Sequence, residues 1–220
     1  MIPLRQSMPR PTNGTHALWL LLLVAWVLLP GCSGLPQSQA EPVTSYLLEG
    51  PRLNQLPPNP EGPSLTVNPP GAAPGYDSPD MLYIETAHQL DHFARHRWID
   101  TPAKMLQAAV ITHTEVSGLF SRVLPARARM SSDLRLEIEL VKLHQSFLQQ
   151  PSQIELSIRL NLIANSDNRL VSSQLFSTQE TTPEETPYGG VIAANRALSR
   201  GLEVINGFLE RGIEIWRQRL

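Results

Sequence analysis

The residue best suited to covalent chemistry is the only cysteine of the chain. Cys32 lies in the stretch "VLLPGCSG", where a long apolar run ends and a proline-rich segment begins. An ionised thiol is a strong nucleophile, so a cysteine can accept a covalent group. A lone cysteine has no partner for an intramolecular disulfide, so the folded part of the chain must be stable without one. This position therefore points to modification of Cys32.

The segment before the cysteine has the composition of an export signal. Residues 1–16 are polar and carry two arginines and no acid, and Ala17–Leu29 is apolar without interruption. Thirteen helical residues span about 20 Å, whereas the hydrocarbon core of a bilayer is about 30 Å thick. We therefore predict a signal peptide over residues 1–31, with Met1 and Met8 both candidate starts.

The end of this segment, "LPGC", resembles the lipobox of bacterial lipoproteins. That motif has a leucine three residues before the cysteine and a small residue just before it, which Leu29 and Gly31 provide. Pro30 departs from the usual small or β-branched residue. The resemblance implies cleavage between Gly31 and Cys32, a diacylglycerol on the Cys32 sulfur and an acylated N-terminal amine. The alternative is a chance cysteine after an ordinary cleavage site.

Acylation implies a membrane anchor followed by a tether. Each buried CH₂ contributes about 0.8 kcal/mol, so two or three acyl chains anchor stably where one does not. Ser33, rather than an aspartate, follows the cysteine, which makes the outer membrane the expected location, with the domain facing the periplasm. Residues 32–43 form the predicted lipidated tether, and the eleven residues of 33–43 reach at most about 36–40 Å.

Length and charge limit the number of domains and the kinds of partner expected for the chain that follows the predicted signal peptide. Removal of the signal peptide takes away two arginines and leaves 16 basic and 20 acidic side chains, a formal charge of −4. Nucleic-acid binders carry clustered positive charge, so we expect no nucleic-acid partner. The length suits one domain, which we place at residues 44–220.

Three histidines have a spacing that a metal site could use. His88, His92 and His96 are four residues apart, and Asp91 lies nearby. Zinc accepts imidazole nitrogens and carboxylate oxygens, but no fourth ligand is apparent, so surface or packing roles are favoured and no metal is expected. Trp98 is interpreted as a packed aromatic side chain rather than as the wall of a lipid groove.

Motifs of the common enzyme classes do not occur in the sequence. It has no G-x-S-x-G or H-E-x-x-H motif, no paired carboxylate site and no Walker motif. We therefore expect neither catalysis nor a cofactor.

The clearest predicted elements are three consecutive β-strands. Apolar residues alternate with polar ones over Leu134–Leu140 and Gln153–Leu162. Such alternation is typical of an antiparallel sheet with one buried face. Leu170–Glu180 is the predicted third strand, and its apolar phase slips between Val171 and Phe176, which predicts a bulge or an edge.

Two helices complete the predicted fold. The first is expected to be capped by Thr101, to have Pro102 at its first position and to end at Gly118. The second carries apolar residues every three or four positions and a polar face that includes Arg196 and Arg200. We predict an α+β fold, an antiparallel β-sheet with two main helices packed on one face. The apolar positions of the second helix are Val191, Ala194, Leu198, Leu202, Ile205 and Leu209.

The order of these features is similar to that of the ABC-type transport auxiliary lipoproteins, the PqiC-like proteins. The cysteine is followed by a strand of the YLL type, a proline-rich segment and the short strand "MLYIE". The segment "LDHFARHRWIDTPAKML" comes next, with Trp98 before the helix cap. The three consecutive β-strands, which form a meander, and the closing helix complete the order. The resemblance covers Thr44–Leu209. A long insertion between Leu48 and Leu65 leaves the pairing of the first strand open.

This resemblance implies a role in transport. Such lipoproteins accompany an ABC permease, an ATPase and an MCE-domain protein, which move lipids between the inner and outer membranes. The chain would dock the MCE protein or help to transfer phospholipid, through Arg196 and Arg200 or through an exposed sheet edge. The rival hypothesis is a structural adaptor lipoprotein of another envelope complex.

Overall fold

A computed structural model describes residues 42–51, 54, 56–128 and 130–219 of the chain. The predicted signal peptide, the cleavage site at Gly31 and Cys32, and most of the predicted tether lie outside the described residues. The elements in chain order are β1 (Thr44–Tyr46), β2 (Ser64–Val67), β3 (Gly71–Ala72), β4 (Asp80–Ile84), β5 (Asp91–Trp98), α1 (Pro102–Val116), β6 (Arg122–Pro125), a 3₁₀ turn (Ala126–Ala128), β7 (Leu134–Ser146), β8 (Gln153–Ala164), β9 (Arg169–Thr181) and α2 (Pro187–Arg217).

The predicted three-strand meander is confirmed as β7, β8 and β9. The strands pair antiparallel, and the alternating leucines and isoleucines of β7 and β8 are buried on one face. Leu162 pairs with Ser172 and Ile163 pairs with Leu170, so Val171 is an extra residue in β9. This bulge explains the slip in the apolar phase, and β9 is also an edge strand because it pairs with β8 alone among the described strands.

The α+β class is confirmed, but the sheet is mixed rather than wholly antiparallel. Three short strands, β2, β3 and β4, lie one after another along the far edge of the long strand β7, and all three run parallel to it. Their register places Leu65 opposite Leu134, Gly71 opposite Glu139 and Tyr83 opposite Gln145. Short strands with few alternating positions carry no signal of direction, so the sequence did not indicate these parallel pairs.

The first strand, whose pairing the sequence left open, lies at the other end of the sheet. β1 runs parallel to β5, with Tyr46 opposite Trp98, and β5 pairs antiparallel with β4. The strand order from this edge is therefore β1, β5, β4, β7, β8 and β9. β1 and β9 form opposite edges of the sheet.

Both helices begin with proline, as the sequence predicts for α1. Thr101 occupies the N-cap position of α1, but its side chain makes no capping hydrogen bond, so that part of the prediction was wrong. In α2 the Thr186 hydroxyl accepts a hydrogen bond from the Gly189 N–H at 3.0 Å. Gly118 follows α1 with a positive φ of 71°, as expected of a residue that ends a helix. None of the helices in the described part of the chain has the length and hydropathy needed to cross a membrane.

The core lies between the sheet and the two helices. α2 packs on β8 and β9, α1 packs on β6 and β7, and the two helices contact each other. Every apolar position predicted for the second helix is buried. Trp98, with 3% of its surface exposed, is also part of the core, which confirms its interpretation as a packed aromatic side chain.

Candidate docking surfaces

The polar face of α2 is partly used by contacts within the molecule. Asn195 accepts a hydrogen bond from the Glu49 N–H at 2.8 Å and donates one to the Leu47 carbonyl at 3.2 Å, which holds the segment after β1 against the helix. The Arg200 guanidinium forms an ion pair with Glu180 of β9, whose side chain is buried. Of the two arginines predicted to bind a partner, Arg200 therefore has a structural contact, and Arg196 is exposed.

The free edge of β9 is the longest strand edge of the described sheet. The strand has thirteen residues, and its run from Leu170 to Gln179 contains no ionisable side chain. Leu170 and Leu175 are exposed to 53% and 56%. Natural edge strands are commonly protected by charge, proline or short length, and this run has none of those. It offers backbone donors and acceptors to an added strand.

The helix α2 runs beside this edge and supplies charge to it. The Arg211 guanidinium donates a hydrogen bond to the Gln174 side chain of β9 at 3.3 Å, and Arg200 reaches Glu180 further along the same strand. The two arginines are therefore spaced along the helix-facing side of β9. A docked segment would meet both backbone hydrogen-bonding groups and these guanidinium groups.

A cluster of aromatic rings connects four elements and was not found from the sequence. The Tyr46 ring stacks on the His96 ring with centroids 5.8 Å apart, and the Tyr46 hydroxyl lies 3.1 Å from His96 Nδ1. Tyr188 at the start of α2 lies 6.0 Å from Tyr46, and Phe93 lies 6.4 Å from His96. Tyr83 of β4 lies 4.6 Å from Phe93. Because the rings come from distant segments, no single periodicity indicates that they meet.

The three spaced histidines do not converge. His88 lies before β5 with a positive φ of 69°, His92 contacts Asp91 at 3.6 Å, and His96 stacks on Tyr46. Within the residues that the structure describes, no group of three or more histidine, cysteine, aspartate or glutamate side chains could hold a metal ion.

A groove of about 650 Å³ lies between α1 and residues 47–51. Apolar side chains such as Met105, Ala109 and Leu202 form most of its wall, and Trp98 is not among its lining residues. His113 also lines it, and burial lowers the pKa of this imidazole while the Glu203 carboxylate opposes the shift. The groove is an apolar concavity between α1, α2 and the segment that follows β1.

Comparison with protein families gives one match over most of the chain. Residues 46–205 match the model of a family described as the ABC-type transport auxiliary lipoprotein component. The matched residues begin at Tyr46, the last residue of β1, and include the aromatic cluster, the meander and the larger part of α2. A comparison with curated proteins gives no match.

Two solved structures share the fold at low sequence identity. Protein XCC0632 from Xanthomonas campestris is 21% identical, with a TM-score of 0.65, and the match covers 80% of this chain and 95% of that one. A second protein, described as uncharacterized, is 13% identical, with a TM-score of 0.55, and the match covers 70% of this chain and 94% of that one. At these identities the similarity supports the fold alone.

Proposed function

The chain belongs to the ABC-type transport auxiliary lipoprotein family, and from this membership we propose that it works with an ABC permease, an ATPase and an MCE-domain protein. In this proposal the system moves lipids between the inner and outer membranes and supports envelope integrity. The family match over residues 46–205 is the observation that carries the proposal. The lipobox-like "LPGC" supports it, because an acylated Cys32 would keep the domain at a membrane surface.

The proposed role is docking rather than catalysis. The lipoprotein would hold the MCE partner at the outer membrane, and the ATPase subunit would supply the energy. Tethering confines the domain to the neighbourhood of the membrane and raises its effective concentration there. A modest affinity for the partner would therefore suffice.

The edge of β9 and the exposed Arg196 are the proposed contact surface. An extended segment of the partner would add to β9 through its backbone, and its acidic side chains would meet the arginines of α2. Arg200 would act in this contact only through its pair with Glu180, which keeps the guanidinium beside the strand.

A pull-down from native membranes tests the function. The acylated protein should recover MCE and ABC subunits, and deletion of the gene should make the cells sensitive to detergent. Arg196→Glu should weaken that recovery without changing the urea midpoint, and Glu210→Arg, an opposite change at another exposed residue of α2, is the matched control. Recovery of only peptidoglycan-associated or pilus components would instead support the adaptor role.

A further inference from the structure

Four exposed apolar side chains surround the first strand. Val43 and Leu47 flank β1 in sequence and are each 55% exposed, Ile99 is 58% exposed, and Tyr188 is 51% exposed. The Ile99 N–H donates a hydrogen bond to the Tyr46 carbonyl at 2.8 Å, and the ring of Tyr188 lies 6.0 Å from that of Tyr46. Val43, Leu47 and Ile99 alternate with Tyr46 and Trp98 and so lie on the face away from the Tyr46 ring, whereas Tyr188 packs beside that ring. The four side chains thus line both sides of the β1 edge, and together they are called the β1 patch.

The side chains beside the β1 patch are of the types found at a membrane–water interface. Tyr46 and Tyr188 each carry an apolar ring with a polar hydroxyl, a type of side chain that is enriched where one end is buried in lipid and the other is hydrated. Arg97, exposed and opposite Ser45 of β1, adds a cationic group to the same edge. Large apolar side chains gathered at one exposed site indicate a binding surface rather than scattered exposure.

The path of the chain indicates what covers this patch. Cys32 precedes Pro42 by ten residues, and ten residues span at most about 33–36 Å. β1 follows directly, so Val43 and Leu47 of the patch are among the described residues closest in sequence to the predicted acyl anchor. Acyl chains on Cys32 would hold this edge within reach of the bilayer surface.

We infer that the β1 patch rests on the phospholipid bilayer that holds the acyl chains and fixes the orientation of the domain on the membrane. This inference rests on the proposed function, because it requires an acylated Cys32. The apolar side chains would enter the headgroup region, and the tyrosine hydroxyls and Arg97 would remain among the headgroups.

The orientation explains how one domain can serve two surfaces. Four strands, β5, β4, β7 and β8, lie between β1 and β9 in the sheet. A domain that rests on its β1 edge therefore leaves the β9 edge free to pair with a partner segment.

The test uses the full acylated protein in vesicles of phosphatidylethanolamine and phosphatidylglycerol. Acylation converts the only native thiol into a thioether, so a cysteine introduced at position 99 or 175 is the single site for a fluorescent label. Ile99→Cys and Leu175→Cys are matched, because the native side chains are 58% and 56% exposed at opposite edges of the sheet. Brominated phospholipids and aqueous iodide serve as the two quenchers.

We expect the label at position 99 to lose most of its fluorescence to brominated lipid and to be protected from iodide, with the reverse at position 175. Equal iodide quenching at both positions would overturn the inference, as would equal lipid quenching at both. Protection at position 99 from iodide without lipid quenching would assign the patch to a protein contact instead. The intact mass of the protein reports acylation separately. If the protein is acylated but iodide quenches the label at position 99, only the contact of the β1 patch with the bilayer is contradicted. If Cys32 is unmodified, the lipoprotein role and the membrane contact are contradicted together.

A label at a second position tests whether the result depends on the site that is labelled. With the label at Leu47→Cys, the additional change Tyr188→Asp should restore quenching by iodide, because a charge at the patch opposes contact with lipid. Leu170→Asp, a change of the same kind at the β9 edge, should leave the label protected. Protection that survives Tyr188→Asp would overturn the inference.

Discussion

The hydroxyl of Tyr76 lies 3.0 Å from Nδ1 of His144, and the histidine is only 2% exposed. The Tyr76 ring, from the turn after β3, covers the imidazole on β7. Burial lowers the pKa of His144, the Glu155 carboxylate raises it, and the Lys142 ammonium adds to the lowering. The folded state therefore favours the neutral imidazole.

Folding should become less favourable as the solution is acidified from pH 8 to pH 5. The unfolded histidine titrates near 6.5 and the folded one at lower pH, so the unfolded chain binds more protons below about pH 6.5. Burial lowers the pKa of His113 as well, which adds to the same trend. We expect the urea midpoint to fall between pH 8 and pH 5, and His144→Asn to reduce that fall. His92→Asn, at an exposed site, is the control; an unchanged slope in His144→Asn would contradict the prediction.

The meander and α2 were predictable because their residues carry strong local patterns. Leucine and isoleucine alternate along β7 and β8, and the apolar positions of α2 recur with the helical period. The bulge at Val171 was also visible in the sequence, as an interruption of the alternation of apolar residues along the third strand. These signals depend only on neighbouring residues, so a single sequence is enough to find them.

The surfaces depend on contacts between distant segments and could not be predicted in the same way. The sequence placed Arg196 and Arg200 together on a polar face, but only the fold brings Glu180 to Arg200. The parallel pairing of β2 with β7, and the meeting of Tyr46 with Tyr188, likewise join residues far apart in the chain. A separation of this kind leaves no periodic pattern.

The two faces of the meander should respond differently to truncation. Leu136, Ile138, Ile158 and Leu160 are buried, and changing any of them to alanine should cost about 2–5 kcal/mol of folding free energy. Glu137→Ala and Arg159→Ala, on the opposite face, should cost less than about 1 kcal/mol because both side chains are partly exposed and ion pairs at such sites contribute little. Urea denaturation measures both sets, and equal midpoint shifts would show that the assignment of faces is wrong.

Two glycines inside α2 should respond to alanine in opposite ways. A methyl group on Gly212 would collide with the side chain of Leu162, which is fully buried and cannot move aside. A methyl group on Gly207 would lie 3.3 Å from a terminal nitrogen of Arg211, which is flexible. Overpacking costs about 1–3 kcal/mol, whereas alanine is favoured over glycine in a helix by about 1 kcal/mol. We therefore expect Gly212→Ala to lower the urea midpoint and Gly207→Ala to raise it. Shifts of the same sign would argue against this packing.

Acylation of Cys32 has a direct biochemical test. Cys32→Ala removes the sulfur that would receive the diacylglycerol, so the variant should accumulate as an unprocessed precursor and should fail to incorporate radioactive palmitate. Ser33→Ala keeps the thiol and serves as the control. Normal palmitate labelling of Cys32→Ala would exclude lipidation at this residue.

The edge of β9 should lose its capacity to dock when charge is placed on it. Leu175 is 56% exposed and lies within the uncharged run of the strand, so Leu175→Lys adds the type of side chain by which natural edges prevent strand addition. Substitution at an exposed site should change folding stability by no more than about 0.5 kcal/mol. We expect recovery of the MCE partner from native membranes to fall, and Leu90→Lys, an exposed leucine before β5, to leave recovery unchanged. Because β9 lies at the opposite edge of the sheet from β1, the same variant should keep its contact with vesicles. Undiminished recovery by Leu175→Lys would move the contact to another surface.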